Sequence, residues 1–197
     1  MTLRVEPLTG EALARGLPAL ARLRIAVFRS WPYLYDGTLD YEQTYLARLA
    51  AAKGGIIVAA LDGDRIVGCA TAAPLAQVEG EFSAPLAAVG HDVARILYCG
   101  ESVLLPAYRG KGLGHAFFDE REAHAARLGG LTLSAFCAVV RPADHALKPK
   151  NYVPLDAFWT KRGYRKAEGV IGAFSWKDID QPAETAKPMQ YWIKELR

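Results

Sequence analysis

Cysteine is scarce in this sequence, at three in 197 residues. Cys69, Cys99 and Cys137 each stand alone inside an apolar, strand-like run, a spacing that fits neither a disulfide framework nor a metal site. Buried, reduced thiols and no bound metal are expected. Long hydrophobic runs are lacking as well. No stretch of eighteen uncharged apolar residues occurs, and the most apolar early segment, 12–28, is cut by Arg15, Arg22 and Arg24 at amphipathic spacing. This argues against a membrane span and a signal-peptide core and for a cytoplasmic protein with no membrane partner. A basic stripe is missing too: 24 basic against 21 acidic residues leave a net charge of +3, which argues against a nucleic-acid partner. What excess there is lies late in the chain. Residues 101–197 carry 15 basic and 11 acidic side chains, against 9 and 10 in the first hundred, a balance suited to a phosphorylated small molecule. No repeat and no low-complexity segment appears, and with 51% hydrophobic and 23% charged residues the chain should fold throughout as a single domain, 1–197.

The patterning that is present alternates strands and helices. Leu3 to Pro7 reads as a strand, and Thr9-Gly10-Glu11 opens a helix over about 12–28 that ends ahead of Pro32. A second helix over 41–53 stops at Gly54-Gly55. Two apolar, β-branched runs, 55–61 and 65–72, flank Asp62-Gly63-Asp64 and predict a β-hairpin. Residues 76–94 are less regular, with a short helix over 81–89. Strand 95–105, helix 112–128 and strand 131–140 then predict a parallel pair with a right-handed crossover. A loop over 142–154, a short helix over 155–162 and strands over 169–177 and 189–196 complete the order. The fold class is α/β (α+β): one mixed sheet with helices on its faces.

Chemistry concentrates in Arg109-Gly110-Lys111-Gly112-Leu113-Gly114, at the junction of a strand and a helix. A nucleotide-binding P-loop needs a hydroxyl after Gly-Lys to hold magnesium, and Leu113 follows Gly112. The dinucleotide fingerprint fails on its glycine spacing. Glycines still let the backbone turn sharply and approach a ligand, and the first amides of a helix point outward without partners. An anion such as a pyrophosphate suits them, with Arg109 and Lys111 as cations at the rim. A plain connecting turn with two solvated charges is the alternative.

The surrounding stretch, ESVLLPAYRGKGLGHAFFDEREAHA over 101–125, resembles the central motif of the GNAT superfamily of N-acetyltransferases, in which Arg or Gln-x-x-Gly-x-Gly or Ala follows an apolar strand ending near proline and opens a helix. The element order is similar to that family's, and LDAFWTKRGY over 155–164 looks like its late helix ending in Gly-aromatic. The resemblance is strong over 98–129, weak over 28–90, and covers most of the chain. It implies a largely antiparallel sheet whose central parallel pair is splayed at a bulge, with helices on both faces. It implies acetyl-CoA as co-substrate, its pyrophosphate on Arg109 and the amides of Gly110, Lys111, Gly112, Leu113 and Gly114. The pantetheine arm would run along Val103, Leu104 and Leu105, with Phe158 packed nearby.

Acetyl transfer needs a neutral amine, and deprotonating a lysine-like amine at neutral pH costs roughly 4 to 5 kcal/mol, so a base and a donor to the leaving thiolate are expected. Glu101, on the strand just before the cofactor segment, is the candidate base, with an edge ion pair as its alternative role. The family often places a tyrosine four residues before its Gly-aromatic pair. Trp159 stands there, and indole is no proton donor at neutral pH, so Tyr152 becomes the candidate acid. By resemblance the segment between the first two helices, with Trp31 in it, lines the acceptor pocket: Arg29 for a carboxylate, Asp36 for an ammonium, and Tyr33 and Tyr35 flanking that ammonium by cation–π contact. An aromatic plug with a turn at Asp36-Gly37 is the alternative. The function implied is N-acetyl transfer to a small-molecule or peptide amine, compatible with a homodimer. A non-catalytic acyl-CoA sensor is the alternative that Trp159 keeps open.

Overall fold

The computed structural model describes residues 3–196. Strand β1 (Leu3–Pro7) leads into helix α1 (Gly10–Phe28), whose buried stripe of Gly16, Leu20, Ala21, Leu23 and Arg24 turns toward the sheet. Helix α2 (Leu39–Ala51) follows, then the hairpin β2 (Ile56–Asp62) and β3 (Arg65–Pro74). Gly63, at φ +60°, makes the tight turn that a two-residue loop demands. Helix α3 (Gly80–Ala88) stands between β3 and the short strand β4 (Ile96–Tyr98). After β5 (Ser102–Leu104) and α4 (Leu113–Leu128) come β6 (Leu133–Val139), α5 (Asp156–Lys161), β7 (Arg165–Lys177) and β8 (Glu184–Glu195).

These strands form one sheet in the order β1-β2-β3-β4-β6-β8-β7, with β5 pairing β3 beside that path. All its pairings are antiparallel except β4 with β6. Alternation along β2 sends Ile57, Ala59 and Leu61 against Leu20 and Leu46, and Val58 and Ala60 against Phe117. Helices α1, α2 and α3 therefore cover one face, and α4 and α5 the other.

Two expectations change. The run 95–105, read as one strand, is broken. β4 pairs β3 through Ala73↔Tyr98, whereas β5 pairs it through Ala70↔Ser102, a slip of one residue. Gly169, read as the start of a strand, instead lies inside β7 at φ +75°, where the register with β8 slips between Lys166 and Ile171. The late ribbon is longer than its apolar residues suggest because Arg165, Lys166 and Glu168 face outward around buried Ala167, and exposed Ile171, Ala173 and Ser175 then alternate with buried Val170, Gly172 and Phe174.

Candidate active site

The break between β4 and β5 sets the site. Gly100 donates its N–H to the Thr71 carbonyl at 3.1 Å, and Thr71 returns its own N–H to the Glu101 carbonyl at 3.1 Å. Two residues thus face one, which is a β-bulge. The parallel pair keeps its ladder only as far as the bond from Cys99 N–H to the Ala135 carbonyl, 2.8 Å. Beyond it β5 stays with β3 while β6 continues beside β8, and a wedge opens between β5 and β6.

Backbone groups fill that wedge by alternation. Leu105 N–H is spent on the Val67 carbonyl at 3.0 Å, so the N–H and C=O of Leu104 point away from β3. The Leu104 carbonyl accepts Arg109 Nε at 3.4 Å. Ser102, two residues earlier, shares that direction. Of the three residues expected along the pantetheine, only Leu104 offers main-chain groups to the wedge. Val103 and Leu105 give theirs to β3 and pack their side chains on the α1/α2 face.

The strand runs straight into the glycine turn. Gly110 and Gly112 sit at φ +73° and +82°, conformations that only glycine adopts freely. A Cβ at either would meet no atom within 4 Å, so the turn is an open cradle. The N–H groups of residues 110–114 have no main-chain acceptor among the described residues. They converge at the start of α4, where the helix dipole favours an anion by about 0.3 to 1 kcal/mol. Arg109 and Lys111 are exposed at its rim. Phe158 walls the turn: its ring would lie 3.4 Å from a Gly114 Cβ and is 4.9 Å from the His115 ring. These residues suit a pyrophosphate, which needs amide donors, cations and room for a close approach.

On the opposite face Glu101 lies in a buried charge cluster. Arg24 bridges Glu101 and Glu42, all three less than 10% exposed. Tyr45 donates its hydroxyl to Glu101 at 3.1 Å, and the Arg24 guanidinium stacks 4.3 Å from the Tyr45 ring. Burial works against the Arg24 charge, but the carboxylates of Glu101 and Glu42 with Tyr45 outweigh it and raise its pKa well above the usual value. Burial, with Glu101 adding to it, likewise holds the Tyr45 phenol protonated.

The segment after α1 is pinned to the far end of the sheet. Arg141 donates to the carbonyls of Pro32 and Tyr33 at 2.8 and 2.5 Å and pairs with Asp178 at 2.6 Å. Trp176 Nε1 also reaches the Tyr33 carbonyl at 3.0 Å. Asp36 pairs with both Lys177 and Arg29 at 2.9 Å, and the Lys177 bond, followed by that of Arg29, lowers its pKa. Arg29 and Asp36, expected to bind opposite ends of an acceptor, are thus each other's partners. Burial raises the phenol pKa of Tyr33, and burial together with Glu42 raises that of Tyr35. Tyr152 packs edge-on against Trp31 at 5.9 Å, and burial, then Asp156, raises its pKa. Trp159 packs into the core tilted against Phe136 and edge-on to Trp192, at 5.0 and 5.1 Å.

The model of the acetyltransferase (GNAT) family matches residues 20–164. The chain belongs to the GNAT acetyltransferase family. Solved structures share the whole fold. An N-acetyltransferase of Staphylococcus aureus Mu50 matches with a TM-score of 0.64 at 10% identity over 100% of both chains. A Salmonella typhimurium protein described as an acetyltransferase and solved with its cofactor acetyl-CoA gives 0.63 at 12% identity, over 100% of this chain and 95% of that one. The ribosomal-protein-alanine N-acetyltransferase of Brucella melitensis gives 0.62 at 15% over 98% and 99%. No curated protein matches by sequence. Within this GNAT fold the expected splayed pair is β4 and β6, and the family's co-substrate is acetyl-CoA. Arg24, Glu42, Tyr45 and Arg121 were not expected at the site. Their signal is a charge at a buried position of an amphipathic helix, as Arg24 is on α1 and Arg121 on α4.

Proposed function

We propose that the chain transfers an acetyl group from acetyl-CoA to a primary amine, on a small molecule or an exposed protein group, directly within a ternary complex. One observation carries the reading: a single strand supplies free backbone groups at the wedge and then delivers the chain into the open amide cradle at 110–114. Bound there, acetyl-CoA supplies an activated acyl group as its thioester. The cradle, Arg109 and Lys111 hold the pyrophosphate, Leu104 pairs with the pantetheine, and Phe158 walls it.

The amine nitrogen bonds the thioester carbon, the C–S bond breaks with its electron pair leaving on sulfur, and the nitrogen gives up a proton. Glu101 receives that proton. Its oxygens are engaged by Arg24 and Tyr45, and Arg24 can release it because Glu42 already holds the other side of the guanidinium. Tyr152, kept protonated by burial, supplies the proton to the thiolate. Tyr33 and Tyr35 line the acceptor side, and the mutual pairing of Arg29 and Asp36 shapes the segment that carries them.

The test is calorimetric titration with acetyl-CoA, followed by thiol release across an amine panel. Binding with turnover is expected. Binding without turnover on any amine would favour a sensor of acyl-CoA, and absence of binding would sink both readings.

A further inference from the structure

The buried stripe of α4 runs Leu113, Phe117, Phe118, Arg121 and Ala125, four apolar side chains and one cation. Arg121 is 1% exposed, and no ion pair among the described residues includes it. Burying an unpaired guanidinium is costly where a leucine would fill the same stripe. What the guanidinium holds is main chain. Its Nη1 donates to the Glu101 carbonyl at 3.1 Å and the Thr71 carbonyl at 3.4 Å. The Phe118 ring centre lies 4.5 Å from the guanidinium carbon, while Nε and Nη2 have no partner among the described residues.

The Glu101 carbonyl therefore accepts two hydrogen bonds, one from Thr71 N–H and one charge-assisted. The peptide between Glu101 and Ser102 is trans, so its N–H, on Ser102, points the opposite way, into the wedge. A charged donor on the carbonyl polarises the whole amide and makes that N–H a stronger donor.

We infer that Arg121 is a positioning residue: from the cofactor face it fixes and polarises the Glu101–Ser102 peptide, so that Ser102 N–H stabilises the thioester oxygen as the amine attacks. The inference rests on the acetyl-transfer reading. It explains why a cation occupies an apolar stripe, and why it bonds the bulge carbonyl rather than a carboxylate.

The test uses the full chain with Arg121→Leu and Arg121→Lys. The leucine variant should melt at or above the wild-type temperature, bind acetyl-CoA within about threefold, and lose about tenfold or more in kcat. Lysine should recover part of that loss. The Ser102 amide resonance should shift more with acetyl-CoA than with CoA in the wild type, and this difference should vanish in Arg121→Leu. Should the leucine variant fail to fold, Arg121→Gln, which keeps a neutral donor, carries the same comparison. A folded variant with wild-type kcat overturns the assignment. So does a wild-type protein that binds acetyl-CoA with no acetyl-dependent shift at Ser102. Failure of the wild type to bind acetyl-CoA instead overturns the functional reading, and this one with it.

Discussion

Gly112 stands at φ +82° with open space where a Cβ would project, so any side chain there enters the cradle. Aspartate is the informative replacement. It tolerates the left-handed region at a cost of roughly 1 kcal/mol, and its carboxylate caps the α4 N-terminus for about 0.5 to 2 kcal/mol. These effects offset one another, so Gly112→Asp should leave the melting temperature nearly unchanged. The same carboxylate occupies the anion site. Losing one charge-assisted hydrogen bond of about 1.5 to 3 kcal/mol weakens acetyl-CoA roughly ten- to 150-fold by calorimetry, and undiminished affinity would remove the cradle from the mechanism. Glu101 calls for a kinetic readout instead. Glu101→Gln should lower kcat at least about tenfold with little change in acetyl-CoA affinity. A kcat equal to that of the wild type would dismiss Glu101 as the base.

At the scale of elements, the segment between α1 and α2 is held by groups far away in sequence. Asp178 is buried between Arg141 and Lys187. Burial opposes its charge, but the Arg141 bond and then Lys187 prevail, and its pKa lies below the usual carboxylate value. Its folded pKa being depressed, its contribution is full above the unfolded value of about 3.9 and fades as pH falls through the lower folded value. Asp178→Asn should therefore cost about 3 to 5 kcal/mol at pH 7, and the gap to wild type should close in urea melts below about pH 4. A gap independent of pH would mean that packing rather than charge is lost. This tie shows where sequence reading stops. The hairpin turn at Gly63 and the cradle at 110–114 were legible because their chemistry is local. The bulge was not, since 95–105 reads as one strand despite Gly100, Glu101 and Ser102, and the break shows only in its register against β3. Arg24, Glu42 and Arg121 resemble solvated helix charges until the fold supplies Glu101 and its carbonyl. Trp159, set aside as a proton donor on its side-chain chemistry, packs against Phe136 and Trp192.

For the molecule as a whole, the wedge marks where two parts of the sheet separate. Strands β1 to β3 with β5 lie on one side and β6 to β8 on the other, and among the described residues only the three-residue parallel pairing of β4 with β6 joins them in the ladder. Among the described residues no helix is long and apolar enough to cross a membrane. A ligand that fills the wedge and seats its pyrophosphate on α4 binds only when the two sides are correctly placed, and so stabilises the native state. At a hundred times its dissociation constant acetyl-CoA should add about 2.7 kcal/mol, which for a chain of this size raises the melting temperature by about 5 to 11 °C. CoA should give a similar rise, because the cradle and the pantetheine contacts do not involve the acetyl group. Inorganic pyrophosphate, filling the cradle alone, should give a smaller one. Gly112→Asp should cut the rise from acetyl-CoA to about half or less and weaken the response to the other two as well, whereas Arg121→Leu should retain it. A scan in which Gly112→Asp responds like wild type would place the ligand elsewhere. Loss of the response in a folded Arg121→Leu would make that side chain part of the binding site rather than a support for the bulge.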